Sequence, residues 1–337
     1  MKRKMDNNRF RKSSFIFILL TLFLLIFQPE AFAEKYELVV AQDGSGDFTT
    51  IREAVDACRI FPDKPFTIYV KNGIYREKVH IIEGNNNLTI IGESVENTII
   101  TWGDYFDKIN RGRNSTFYTY TLKVESDNFR MENITVENSA GPVGQAVALH
   151  VEGDRCVFFN CRFKGNQDTV YAAGKFSRQF YINCYIEGTT DFIFGGATAL
   201  FERCNIHCKA NSFITAASTP ESKPFGFVFR NCTITAAKEI NKVYLGRPWR
   251  SFAKTVFINC EMGDFIAPEG WDNWSDPENE KSVFYAEFEN TGNGANKKGR
   301  VKWAKELSVW EAEDFVVEKI LAPVGWEPAE EKTWYLQ

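Results

Sequence analysis

The chain has 337 residues, 44% of them hydrophobic and 15% aromatic, with a formal net charge of -4 and a pI near 5.7. That balance argues against a nucleic-acid partner, which would want a basic face. Length alone would divide the chain into two domains, but a phased repeat, described below, favours one continuous core.

The N-terminus reads as an export signal. A basic stretch (Lys2, Arg3, Lys4, Arg9, Arg11, Lys12) precedes an apolar run of 13 residues from Phe15 to Phe27. A membrane span needs roughly 20 apolar residues, so the run is too short to cross. Ala31-Phe32-Ala33 supplies a small-x-small cleavage pattern, which divides the chain into a signal peptide, 1–33, and a mature domain, 34–337. The mature protein is expected to be secreted or periplasmic, off the membrane, and monomeric.

Asp43-Gly-Ser-Gly-Asp-Phe-Thr-Thr50 then leads into Ile51-Arg-Glu-Ala-Val-Asp-Ala-Cys58. Thr50 can serve as N-cap with Glu53 completing a capping box, and Ile51, Val55 and Cys58 recur at helical spacing. A short helix capping one end of the fold is expected here. In Gly73-Ile-Tyr-Arg-Glu77, Gly73, Tyr75 and Glu77 read as structural, a strand-to-turn glycine beside an aromatic.

From residue 133 onward a repeat takes over. Cys161, Cys184, Cys204, Cys232 and Cys260 are each followed two residues later by an apolar residue: Phe163, Ile186, Ile206, Ile234 and Met262. Ile134 with Val136 continues the series one unit earlier. The spacings from Ile134 are 27, 23, 20, 28 and 28 residues, as expected for coils with fixed strands and variable turns. Asn133, Asn160, Asn183, Asn231 and Asn259 precede the ladder residue, with Arg203 as the exception, and stacked amides can hydrogen-bond along a solenoid. Apolar residues alternate with polar ones in Phe159-Asn-Cys-Arg-Phe163. The fold class expected is all-β, a right-handed parallel β-helix. An antiparallel β-sandwich would show hairpin turns every 8 to 12 residues instead. The five phased cysteines read as buried thiols, whereas Cys58, Cys156 and Cys208 fall outside the phase and could pair. The tail from Lys305, with Phe315, Val316, Ile320 and Leu321 at helical offsets, is expected to cover the other end or to pack along a sheet.

The repeat also aligns two acids. Cys161-Arg-Phe-Lys-Gly-Asn-Gln-Asp168 and Cys184-Tyr-Ile-Glu-Gly-Thr-Thr-Asp191 match without a gap, so the two aspartates would lie one strand spacing apart, about 4.8 Å. Generic hydrolase signals are missing: there is no Gly-x-Ser-x-Gly elbow and no His-Glu-x-x-His, and the only histidines are His80, His150 and His207. No metal-binding or cofactor motif is apparent. What stands out is a polar set, Gln145, Gln167, Asp168, Asp191, Arg247 and Trp249. Each also has a structural reading: turn aspartates, ladder amides, an ion-pair arginine, a core tryptophan.

Gly73-Ile-Tyr-Arg-Glu77, Gln145-Ala-Val-Ala-Leu149, Gln167-Asp-Thr-Val-Tyr171, Asp191-Phe-Ile-Phe-Gly195 and Leu245-Gly-Arg-Pro-Trp249 occur in this order, and here the chain resembles the pectin methylesterase family. Looser similarity runs from Asp43 through Glu289-Asn-Thr-Gly292 to Trp303. Val170 stands where that family usually has leucine, and Gly196 where it often has asparagine. The resemblance implies a β-helix that hydrolyses methyl esters of polygalacturonate without a cofactor. Carried over, Asp191 would be the nucleophile, Asp168 the acid and then base, Gln145 and Gln167 the oxyanion donors, Arg247 the partner of Asp191, and Trp249 a sugar contact. Tyr171, Phe192, Trp271 and Trp274 are further candidates for binding the polysaccharide, since long sugars commonly rest on aromatic rings.

Physical chemistry supports the same division of labour. Two nearby carboxylates cannot both ionise cheaply, and a guanidinium beside one decides which stays charged. Alternatives remain at this level. A retaining glycosidase also uses two carboxylates, about 5 to 5.5 Å apart. A pectate lyase would want a cluster of acidic calcium ligands, and a non-catalytic glycan-binding solenoid would leave the pair exposed.

Overall fold

The computed structural model describes residues 37–321 and Trp326, so the signal segment and the last residues of the tail fall outside the described residues. The described chain winds through three sheets. An eleven-stranded sheet runs from Leu38–Val40 to Lys305–Glu306, an eight-stranded one from Gly73–Tyr75 to Glu261–Met262, and a seven-stranded one from Val79–Ile81 to Tyr244–Pro248. One coil shows the pattern: Cys156–Phe159 lies in the first sheet, Arg162–Lys164 in the second and Val170–Ala172 in the third. Arg178–Ile182 then returns to the first sheet and pairs in parallel with Cys156–Phe159, Phe158 opposite Tyr181. The strands pair in parallel in all three sheets, which excludes the antiparallel sandwich and makes the fold a right-handed parallel β-helix.

The corner between the first two sheets explains the asparagine repeat. Asn133, Asn160, Asn183, Asn231 and Asn259 have φ between 49 and 55°, the left-handed region that asparagine tolerates better than most residues. Amide stacking is the lesser part of the explanation. Asn160 Nδ2 does donate to Asn133 Oδ1 at 2.7 Å, but Asn231 donates instead to Glu202 Oε1 at 2.7 Å. Arg203, with φ 53°, adopts the same corner without an amide.

One step past each corner the ladder cysteines turn inward and are at most 1% exposed. Their thiols donate to carbonyls of the preceding coil, as Cys184 Sγ does to Phe158 O at 3.3 Å and Cys232 Sγ to Phe201 O at 3.3 Å. The other three cysteines do not pair, contrary to the expectation from sequence: all eight are free and buried. They sit on separate elements, and Cys58 and Cys156 use local carbonyls instead, those of Ala54 at 3.3 Å and Gly153 at 3.4 Å.

Inside the coils a column of rings runs along the axis. Phe158, Tyr181, Phe201, Phe229 and Phe257 are successive partners in the eleven-stranded sheet. Their centroids are 4.9, 4.7, 4.5 and 4.4 Å apart and their planes lie within 13° of parallel. Equivalent positions on stacked coils are neighbours, so one aromatic per coil in constant phase is enough to build the column.

The expected helix is Ile51–Asp56, with Ile51, Ala54 and Val55 buried. Its capping box is only half formed. Thr50 Oγ1 accepts from Glu53 N at 3.3 Å, while Glu53 takes the Thr50 hydroxyl, not its backbone N–H. Glu77 does the remaining capping, accepting from Ile51 N and Arg52 N at 2.9 Å each, which gives that residue a structural role. Of the two placements expected for the tail, it takes the sheet: Leu307, Phe315, Ile320 and Leu321 pack with Val157, Leu200 and Val228 on the outer side of the eleven-stranded sheet. Arg178 and Arg230 secure it by donating to Leu321 O at 3.0 Å and Phe315 O at 3.1 Å.

The ring column gives a stability test. Phe201 is fully buried with stacked neighbours on both sides, so Phe201→Ala should cost about 3–5 kcal/mol in urea unfolding. A loss below ~1 kcal/mol would show that the column contributes little beyond filling space.

Candidate active site

A cleft of about 410 Å³ opens over the seven-stranded sheet. Its floor is an outward row in register, with Tyr171 opposite Phe194, Phe194 opposite Ala216, and Ala216 opposite Arg247. One wall comes from outside the repeat. Between strands Thr98–Trp102 and Leu122–Val124 the chain forms a short helix, Phe106–Ile109, and a 3-10 segment, Gly112–Tyr118, which bring Phe106, Arg113, Thr116 and Phe117 to the cleft.

Asp168 and Asp191 occupy equivalent corners on consecutive coils, with φ of 66 and 50°. Asp168 N donates to Thr190 O at 3.1 Å and Asp191 N to Phe213 O at 2.9 Å, which ties each corner to the coil that follows. The glycine that precedes each aspartate by three residues is required by close packing. A Cβ on Gly188 would lie 2.1 Å from Cβ of Phe192, and one on Gly165 would lie 2.7 Å from Thr169 Oγ1. Gln145 and Gln167 form a parallel bridge, so their half-buried side chains enter the cleft from neighbouring coils.

Arg247 grips Asp191 with both arms of its fork: Nε donates to Oδ1 at 3.0 Å and Nη2 to Oδ2 at 2.7 Å. The guanidinium lies between two rings, 4.0 Å from the Phe213 centroid and 3.8 Å from that of Trp274, which fixes its plane. Among the described residues Asp168 has no such partner. Burial, reinforced by the charge of Asp191, pushes the Asp168 carboxyl well above its ordinary value, and Arg247 offsets this only in part. Burial raises Asp191 too, but its hydrogen bonds and charge contact with Arg247 oppose the rise. The net shift of Asp191 is still upward, so the two like groups differ in degree: Asp168 is pushed well toward its acid form, and Asp191, opposed by Arg247, less far.

The structure therefore brings Gln145, Gln167, Asp168, Asp191, Arg247 and Trp249 into one cleft. The aromatic candidates divide. Trp274 lines the cleft, and Tyr171 supports it from one coil away, stacked on Phe194 at 4.5 Å. Phe192 and Trp271 do not reach the substrate side: Phe192 is fully buried and Trp271 is 1% exposed, both in the core. At Asp191 the left-handed corner resets the in–out alternation, so that Phe192 and Ile193 both point inward and Phe194 faces the cleft. Sequence reasoning missed Phe194 for that reason. It missed Phe117 and Arg113 because their segment interrupts the repeat. A larger groove, of about 590 Å³, lies over the eight-stranded sheet. Of the charges lining it, Arg162 pairs with Glu96, Lys164 with Glu137 and Glu187 with Lys209 from outside the lining, and its two acids, Glu96 and Glu187, each face a cation rather than one another.

Comparison with known proteins finds relatives along nearly the whole described chain. The family model described as Pectinesterase matches residues 37–323. Pectinesterase 31 of Arabidopsis thaliana is 40% identical over 303 residues, covering 88% of this chain and 93% of that protein. A probable pectinesterase/pectinesterase inhibitor of Brassica napus is 43% identical over 303 residues, 86% of this chain but 51% of that protein, so the chain spans about half the length of relatives of that kind. Among solved structures, pectin methylesterase from carrot has a TM-score of 0.81 at 34% identity, covering 87% of this chain and 95% of that one. Pectin methylesterase from Erwinia chrysanthemi has a TM-score of 0.77 at 28% identity, covering 88% and 99%.

The raised Asp168 has a thermodynamic signature. Its folded-state value lies above the ordinary 3.8, so the native state binds the proton more tightly than the unfolded chain does. The resulting destabilisation is absent below the unfolded value, grows as pH rises, and is complete above the folded value. Asp168→Asn should therefore melt higher than the parent near pH 7.5, with the gain fading toward about pH 4. A variant less stable than the parent at the higher pH would contradict the environment described for Asp168.

Proposed function

The chain belongs to the pectinesterase family and is a carboxylic ester hydrolase acting on pectin, and we propose that Asp191 is its nucleophile and Asp168 its acid and base. The observation that carries this assignment is the two-armed contact of Arg247 with Asp191, beside an Asp168 whose carboxyl burial keeps toward its acid form.

An Asp191 oxygen attacks the carbonyl carbon of a galacturonate methyl ester. The electron pair moves onto the carbonyl oxygen, where the uncharged amides of Gln145 and Gln167 donate to it without neutralising the nucleophile. As the tetrahedral centre collapses, the C–O bond to the methoxy group breaks and Asp168 protonates the departing oxygen, releasing methanol. Asp168, now ionised, takes a proton from water. The water oxygen adds to the acyl carbon, and Asp191 leaves as a carboxylate to be caught again by Arg247. The product is an acidic galacturonate unit. Trp249 and Trp274 offer ring faces to the sugar chain, and Tyr171 stiffens that surface by stacking behind Phe194. The basic N-terminus, short apolar run and Ala31-Phe32-Ala33 support export, with the signal removed near Ala33 and the polymer met outside the cytoplasm. Among the described residues no helix is long and apolar enough to cross a membrane.

Highly methylated pectin separates this reading from its competitors in one assay: methanol release without new reducing ends or unsaturated products is expected. Reducing ends would indicate a glycosidase and unsaturated ends a lyase.

Asp191→Asn keeps the shape but removes the anionic oxygen, and methanol release should fall by several orders of magnitude. A variant within about tenfold of the parent, ~1.4 kcal/mol in barrier, would remove Asp191 from the nucleophile position. Arg247 separates charge from geometry. Arg247→Lys keeps the charge and loses the fork, and should lower kcat with little movement of the acidic limb of the pH profile. Arg247→Leu also removes the charge that opposes the rise in Asp191, so the acidic limb should move to higher pH. Equal, pH-independent losses in both variants would give Arg247 a merely structural role.

A further inference from the structure

We propose that Arg113 is a specificity-determining residue that binds the free carboxylate of a de-esterified galacturonate unit near the one being cleaved. This rests on the pectin-hydrolysing reading above and goes beyond it, to which ester along the polymer is taken first.

Of the charged groups lining the cleft, Asp191 and Arg247 hold each other, and Asp168 lies buried beside them. Arg113 is the remaining one. It is exposed at the wall, and among the described residues no carboxylate, carbonyl or ring takes its guanidinium. Neighbouring arginines are engaged. Arg111 lies 4.3 Å from the Tyr118 ring centroid. Arg250 donates to Trp249 O at 2.9 Å and lies 4.8 Å from that ring.

The backbone that carries Arg113 is anchored. Ser115, fully buried, accepts from Arg111 N at 2.8 Å and donates to Gly112 O at 2.8 Å, closing a loop around residue 113. The side chain is thus presented from an anchored point on the cleft wall, with no acid of its own among the described residues.

The substrate supplies the missing partner. The unit being cleaved enters as a neutral methyl ester, so it needs no cation. Every completed turnover leaves a carboxylate on the polymer, and a planar guanidinium fork matches that group in shape and charge. The rest of the cleft lining is aromatic, amide, hydroxyl or the methyl of Ala216, apart from the catalytic ion pair and Asp168. Arg113 accordingly reads whether a nearby unit has already been processed. An enzyme so equipped favours esters beside its own products and lays down runs of acid units rather than scattered ones.

The test compares initial rates of methanol release on fully methylated pectin and on pectin with about half its esters removed, for the parent, Arg113→Gln and Arg113→Lys. Arg113→Gln should raise KM on the half-methylated polymer by roughly two- to fivefold, the range an exposed ion pair gives, with kcat and the fully methylated polymer unaffected. Arg113→Lys should restore most of the difference, and added salt should erase it. Melting temperatures equal to the parent's would show that folding is untouched. The same loss on both polymers, or no loss on either, would overturn the proposal. A parent that released no methanol from either polymer would overturn the hydrolytic reading itself, a result distinct from both.

Discussion

Parallel stacking of one coil on the next is the constraint from which the rest of this molecule follows. Because the backbone ladder sets a spacing of about 4.8 Å, residues at the same phase of consecutive coils become neighbours whatever the length of the turns between them. The spacing brings Asp168 beside Asp191, joins Gln145 to Gln167, and stacks the core rings. It also sets the distance from which Arg247 works. Arg247 lies two coils on from Asp191 and spans the coil between, held in plane by Phe213 and Trp274.

The chemistry comes from making equivalent positions unequal. Asp168 and Asp191 share a backbone conformation and are both largely buried, 8% and 6% exposed. What differs is what each faces. The guanidinium opposes the effect of burial at Asp191 through direct hydrogen bonds, whereas at Asp168 the neighbouring carboxylate adds to it. An asymmetric site is thereby assembled on a symmetric frame, with one cation and no change of fold. Removing water from the pair strengthens these interactions.

The fold was legible because a solenoid writes the same message several times. One cysteine with an apolar residue two positions on says little, but five in phase define strand, corner and core. The aspartates were legible for the same reason. Where the chain departs from the repeat, reading failed. The left-handed corner at Asp191 shifts the inward–outward alternation and turned a core residue, Phe192, into an apparent substrate contact. Trp271 was misread because aromatic type alone does not reveal which way a ring faces, and its indole is sunk against Glu287. The wall segment Phe106–Tyr118 has no counterpart in other coils, so Phe117 and Arg113 carried no signal of phase. Cys58, Cys156 and Cys208 looked like candidates for bridging only because composition cannot show that each is enclosed by its own local packing.

The buried thiols make the protein its own ruler of opening. Thiol reagents must reach the sulfur before its thiolate can attack, and all eight thiols are enclosed in the native state, where burial raises Cys58 to about 11 and Cys156 and Cys208 further. Cys161, Cys184, Cys204, Cys232 and Cys260 fall one to a coil, at successive depths along the axis. The number of these five that acquire an alkyl group in a pulse therefore counts how many of their turns have come apart, and the identity of the tagged residues tells from which end the unwinding began.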